Sequence, residues 1–150
     1  ISSERSDTFV AGLSMGGYGA FKLGLSRPDL YAAAASLSGA LDICEAVKVH
    51  GDRNDQFWLE TMRNNFGDLE KVPGSLHDLF ALAQKPFQSP NKPRLFQYCG
   101  TEDFLYQDNL RFRDFIRPLG FDYTYEESPG DHSWRYWDTM IQKVLAWLSL

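Results

Sequence analysis

The sequence of 150 residues is short of cysteine, histidine and positive charge, and each shortage removes a class of function. Two cysteines, Cys44 and Cys99, are too few for a disulfide framework and lack metal-ligand spacing, which fits a reducing, cytoplasmic compartment. Twenty acidic residues against 15 basic ones give a formal charge of -5 with no block of one sign, so nothing is arranged to neutralise a nucleic-acid backbone. No apolar run approaches the roughly 18 residues of a membrane span, and the N-terminus lacks a signal-peptide layout. A soluble chain with no membrane or nucleic-acid partner is expected. At 43% hydrophobic residues it can bury one substantial core, and a single domain over 1–150 is the expectation.

Strand and helix signals alternate. Thr8-Phe9-Val10-Ala11-Gly12-Leu13 is apolar on both faces, as a strand inside a parallel sheet is, and Tyr18, Phe21 and Leu25 then mark a helix that stops before Pro28. Tyr31 to Gly39 is alanine-rich but short, and reads as a second buried strand. From Leu41 to about Asn91 there is no strand signal. Phe57, Trp58, Met62 and Phe66 there predict one helix, and Ser75 is the expected N-cap of another containing Leu76, Leu79 and Leu82. Arg94 to Cys99 and Tyr123 to Glu126 are the third and fourth strands, separated by a helix through Leu105, Phe112, Ile116 and Leu119 that ends at Gly120. Trp134, Trp137, Ile141, Val144, Leu145 and Leu148 define a final helix. The pattern predicts an α/β fold with a parallel sheet of about four strands flanked by helices, with 41–91 inserted as a helical cap. Catalytic groups in such a fold collect at the carboxyl ends of the strands.

Gly12-Leu13-Ser14-Met15-Gly16 falls on the first strand-to-helix junction and matches G-x-S-x-G, the turn that lifts a nucleophilic serine above the sheet. There the Met15 N–H, at the start of a helix, can face negative charge developing on a carbonyl oxygen. A bare pentapeptide of this kind also arises as an ordinary tight turn, so the reading depends on a base and an acid being present. His132, in Pro129-Gly130-Asp131-His132-Ser133, follows the fourth strand at the same sheet edge as Ser14. His77 is expected inside the helix after Ser75, and His50 inside the strandless segment. Asp103 and Glu102 both follow the third strand, and spacing does not separate them. Asp103 is preferred, ahead of Asp108 and Asp131, which are acids of the kind that loops expose to solvent. The chain order Ser14, Asp103, His132 is that of α/β-hydrolases. His50, Asp52 and Asp55 lack the spacing of a zinc or calcium site, so no metal and no cofactor is expected.

The blocks Gly12 to Ala20, Ala34 to Asp42, Cys99 to Tyr106 and Gly130 to Trp134 resemble the esterase family of α/β-hydrolases that includes esterase D (S-formylglutathione hydrolase), and most closely its bacterial tributyrin-esterase-like members. The resemblance implies Ser14, Asp103 and His132 as a catalytic triad acting on small-molecule esters with short acyl chains, and it selects Asp103 over Glu102. It also implies that the chain corresponds to the C-terminal half of such an enzyme. The N-terminal half is then an expected partner that brings further strands and a second oxyanion N–H. That expectation agrees with a start at Ile1, only seven residues before a core-type strand. Leu41, Phe57, Trp58 and Trp134 are candidates for the acyl and alcohol pocket. An acyltransferase or thioesterase on the same triad, a non-catalytic fragment, and self-association into a homo-oligomer stay open.

Overall fold

Among the described residues four short strands alternate with helices, as these local signals predict. The computed structural model describes residues 4–87 and 91–149. Strands β1 (Phe9–Leu13), β2 (Ala33–Leu37), β3 (Arg94–Gly100) and β4 (Tyr123–Ser128) form one sheet in sequence order, with every neighbouring pair parallel. Val10 lies beside Ala34, Ala34 beside Leu95 and Leu95 beside Tyr123, so one row of side chains runs across all four strands. Among the described residues β1 has a strand partner on one edge only, and its central Ala11 is exposed.

Helix α1 (Met15–Ser26) packs on β1 and β2, and α5 (Tyr106–Ile116) packs on β3. Between β2 and β3 lie α2 (Ile43–Asp52), α3 (Gln56–Phe66) and the short α4 (Leu79–Ala83). The opposite face is covered by α6 (Trp134–Leu148), which packs on β2 and β3. The strand period of two divides the sheet accordingly. Ala34 and Leu95 face a cluster with Phe21, Leu82, Phe112 and Ile116, while Ala35, Leu37, Phe96 and Tyr98 face Trp137, Met140 and Val144. Alanine-rich β2 is a strand because it is buried at all five positions between two layers, a tertiary demand that overrides helix propensity.

Three expectations are corrected. No helix starts at Ser75: α4 begins at Leu79 under Asp78, whose carboxylate accepts from the N–H groups of Phe80 and Ala81. Leu76 and His77 therefore lie in a turn before the helix, with Leu76 57% exposed. Helix α2 was not anticipated, although Asp42 and Glu45 carry its start signal, with Asp42 Oδ1 accepting from the Glu45 N–H at 3.0 Å. Phe57 is 84% exposed, because the buried face of α3 runs through Leu59 and Met62 and a residue two positions earlier falls on the far side. The segment 41–91 also contributes Leu59, Met62, Val72, Leu79 and Leu82 to the main core, with α4 wedged against α1 and α5.

Phe112 is fully buried, with its ring 5.6 Å from that of Phe21 and 5.3 Å from that of Phe80. Phe112→Ala is expected to lower stability by about 3–5 kcal/mol, measured by urea unfolding. Burial also pushes the Cys99 thiol up to about 12. Native protein treated with iodoacetamide near pH 8 should leave Cys99 unmodified, whereas unfolded protein should be alkylated there, as read by peptide mass spectrometry.

Candidate active site

The turn from β1 into α1 is built by close packing. Ser14 has φ 54° and ψ -123°, a conformation that side-chain-bearing residues adopt only when their surroundings hold them in it. Its N–H donates to Leu37 O at 2.9 Å, and its carbonyl accepts from the N–H groups of Tyr18 and Ala40 at 3.2 Å. A Cβ at Gly12 would run into the Gly16 carbonyl, and one at Gly17 would stand 2.6 Å from Ser36 Oγ and 2.9 Å from Gly39 Cα. Gly16, by contrast, has nothing within 4 Å of where a Cβ would be. At this turn it is thus Gly12 and Gly17 that let α1 approach the sheet, as Gly24 does further along the helix, where a Cβ would stand 2.7 Å from that of Ala34.

The other two expected residues come to the same edge. His132 Nε2 is 2.9 Å from Ser14 Oγ, and His132 Nδ1 is 3.0 and 2.9 Å from the two oxygens of Asp103. The Asp103 side chain is fully buried and also accepts from the Leu105 N–H at 2.8 Å, which fixes its orientation. With the Asp103 carboxylate accepting at Nδ1, the imidazole presents a bare Nε2 to the serine O–H, so proton transfer from Ser14 to His132 needs no rearrangement. Met15 opens α1, and its N–H is among the first-turn amides that have no acceptor within a helix. Glu102, Asp108 and Asp131 are not the partners of His132.

The chain belongs to the Putative esterase family. That family's model matches residues 2–148. The chain is 37% identical, over 99% of its length, to an acetyl esterase of Caldicellulosiruptor saccharolyticus, of which it covers 57%. Two Staphylococcus aureus structures are also similar over 99% of the chain. One is the S-formylglutathione hydrolase FrmB, at 34% identity with a TM-score of 0.79. The other is the fluorophosphonate-binding serine hydrolase FphF, at 35% and 0.78, and the chain covers 56% of each. The chain thus spans about half the length of the curated relatives it matches. Four parallel strands flanked by helices are the α/β-hydrolase-like architecture of these structures.

Two cavities are lined by chain neighbours of Ser14 and Asp103, Leu13 in one and Phe104 in the other, and by none of Ser14, Asp103 and His132 themselves. A mostly apolar one of about 270 Å³ lies between β1 and α6, lined by Gly12, Leu13, Leu37, Trp134, Trp137 and Ile141. A more polar one of about 410 Å³ lies between α2 and α5, lined by His50, Arg53, Trp58, Phe104, Asp108 and Arg111. Sequence reasoning missed Phe104, which is 76% exposed with its ring 4.5 Å from that of His132. An aromatic directly after the acid is the signal that was available for it. Leu41, expected as a pocket wall, is only 1% exposed and packs in the core, so it presents no surface to a ligand. Trp134 is 73% exposed beside Trp137, while Trp58 stacks on His50 with ring centres 4.0 Å apart.

In the polar cleft, burial holds the Asp108 carboxyl above its ordinary range even though Arg111 beside it pulls the other way. Burial works against the Arg111 charge, but Asp42 at 2.8 Å and Asp108 at 2.6 Å more than offset it. His50 Nδ1 pairs with Asp55 at 2.9 Å, and among the described residues no group of three or more His, Cys, Asp or Glu side chains gathers as a metal site. No helix among them is long and apolar enough to cross a membrane.

Gly17→Ala is the expected way to disturb this turn without touching a reacting atom. Its methyl group must displace Ser36 or Gly39, so a loss of about 1–3 kcal/mol in urea unfolding is expected.

Proposed function

We propose that this chain carries the nucleophile, base and acid of a serine carboxylesterase that hydrolyses short-chain acyl esters, and that it does so without a cofactor. The observation that carries the reading is the unbroken hydrogen-bonded line from Ser14 Oγ through His132 to the buried Asp103. His132 takes the proton of Ser14 as its oxygen attacks the ester carbonyl, and the resulting oxyanion faces the Met15 N–H at the start of α1. Collapse of the tetrahedral species expels the alcohol, protonated by His132, and leaves Ser14 acylated. Water then attacks with His132 again as base, releasing the acid and restoring Ser14. Asp103 keeps the Nδ1 proton in place and stabilises the imidazolium that forms in each half.

The cavity beside Trp134 is small and apolar, which supports its assignment to a short acyl group, and the polar cleft beside Phe104 and Trp58 suits the leaving group. The helical segment 41–91 acts as a cap on that side through the face of α2 and Trp58. The second oxyanion donor is assigned to upstream polypeptide, the N-terminal half of the same hydrolase. The one-sided pairing of β1 supports that assignment. A thioester substrate is a second reading, favoured by the likeness to the S-formylglutathione hydrolase FrmB.

Hydrolysis of p-nitrophenyl esters of increasing chain length tests the proposal. Acetyl to butyryl esters should be the fastest. Ser14→Ala should lower kcat on the order of 10⁶-fold. Asp103→Asn, which keeps the shape but favours the wrong tautomer, should lower it about 10⁴-fold. A fluorophosphonate should label Ser14 and no other residue, and equal rates for wild type and Ser14→Ala would refute the assignment.

A further inference from the structure

His132 sits on the loop between β4 and α6, outside regular secondary structure, and loops are ordinarily the least rigid places for a catalytic group. A base must nevertheless be held to within about 0.5 Å of its productive position. The fold meets this demand by fastening the His132 loop to the turn that carries Asp103. Thr101 N–H donates to Ser128 O and Glu102 N–H donates to Gly130 O, both at 3.0 Å, so the two turns are joined by two successive backbone bonds immediately before the acid–base pair. Gly100 lies against that junction, where a Cβ would fall on the Gly130 carbonyl.

The back of the same loop rests on Tyr136, from the first turn of α6. A Cβ at Gly130 would fall inside the Tyr136 ring. The Tyr136 hydroxyl reaches Ser128 O and Ser128 Oγ at 3.1 Å and donates to the hydroxyl of Tyr98, which is itself hydrogen-bonded to Ser128 Oγ. Tyr98 is fully buried in β3, so the loop is tied to the centre of the sheet. Burial holds the Tyr136 phenol above its ordinary range, which keeps it a hydrogen-bond donor. Neither Gly100 nor Gly130 has a positive φ, so what each position requires is space and not unusual backbone freedom.

We infer that Gly100, Gly130 and Tyr136, with Tyr98 and Ser128, are positioning residues that clamp the His132 loop against the Asp103 turn and thereby set the alignment of His132 with Ser14. The inference rests on the proposed role of His132 as base. None of the five is among the hydrogen-bonding partners of Ser14 or His132. The clamp acts through its geometry.

A double-mutant cycle on ester hydrolysis tests it, with kcat, KM and melting temperature measured for each variant. Gly130→Ala should lower kcat about 100-fold with KM nearly unchanged, since a misplacement near 1 Å costs that much. Tyr136→Ala should lower kcat about 10-fold, and adding Gly130→Ala to it should cost little more, because the ring that the methyl group strikes is gone. Tyr136→Phe keeps the ring and loses only the hydroxyl. It should fold, retain KM and lose kcat about 5–10-fold, so the test survives poor folding of the alanine variants. Multiplying effects in the cycle, or a fall in melting temperature with kcat per folded molecule unchanged, would overturn the clamp. His132→Ala and Ser14→Ala separate the two failures. Should either retain wild-type kcat, the catalytic reading falls and the clamp with it. Should both be inactive while Gly130→Ala and Tyr136→Phe match wild type, the clamp alone falls.

Discussion

Everything at the catalytic edge depends on how closely α1 approaches the ends of β1 and β2. Gly12 and Gly17 leave no room for a side chain on that contact, and the backbone of Ser14 is driven to a positive φ between two parts of the fold that are already in place. The hydrogen bond from the Ser14 N–H to Leu37 O, and those from Tyr18 and Ala40 N–H to the Ser14 carbonyl, stabilise a conformation that an isolated peptide would abandon. The strain is offset by the packing of α1 on β1 and β2, whose fully buried Phe21 belongs to the main core. Stability of the core and accuracy of the site are therefore one requirement.

The other two members of the proposed triad are supplied by loops, and the fold compensates with buried polar contacts. Asp103 is oriented by the Leu105 N–H, and the helix that follows is anchored by Asn109, whose amide donates to Gly39 O at 2.9 Å just beyond the end of β2. Gln97 on β3 donates to Asn109 Oδ1 and accepts from the Tyr123 hydroxyl, which carries the connection across to β4. These groups lie where they would be costly if unpaired, so each fixes the spacing of the elements it joins. Outside them, the ion pairs of Arg111 with Asp42 and Asp108 give the polar cleft fixed charges of both signs.

Local chemistry was readable wherever a residue's role depends on its immediate neighbours. The strand before Ser14, the stop at Pro28, the break at Gly120 and the final helix all follow from patterns of a few residues. The same patterns misled where two local signals competed. Ser75 and Asp78 are both good caps, and the choice of Asp78 depends on Leu79 and Leu82 being the residues that reach α1 and α5. Leu41 and Phe57 show the same limit from opposite sides, since nothing local says that one is core and the other exposed. In α6 the apolar stripe was legible, but Trp134 and Leu145 turn outward while Met140 joins the buried face.

By itself the sequence determined the alternation of strands and helices, the serine turn and the order in which Ser14, Asp103 and His132, the proposed nucleophile, acid and base, appear along the chain. These depend on side-chain type and short spacing, and both are properties of the chain before it folds. Only the tertiary structure decided that His132 and Ser14, 118 positions apart, meet at 2.9 Å, that the Asp103 carboxylate is fully buried where it meets His132, and that Gly17 in place of Gly16 is the glycine the sheet crowds. Those outcomes are set by the register of four parallel strands and by which face each helix buries. No short stretch of sequence contains either quantity.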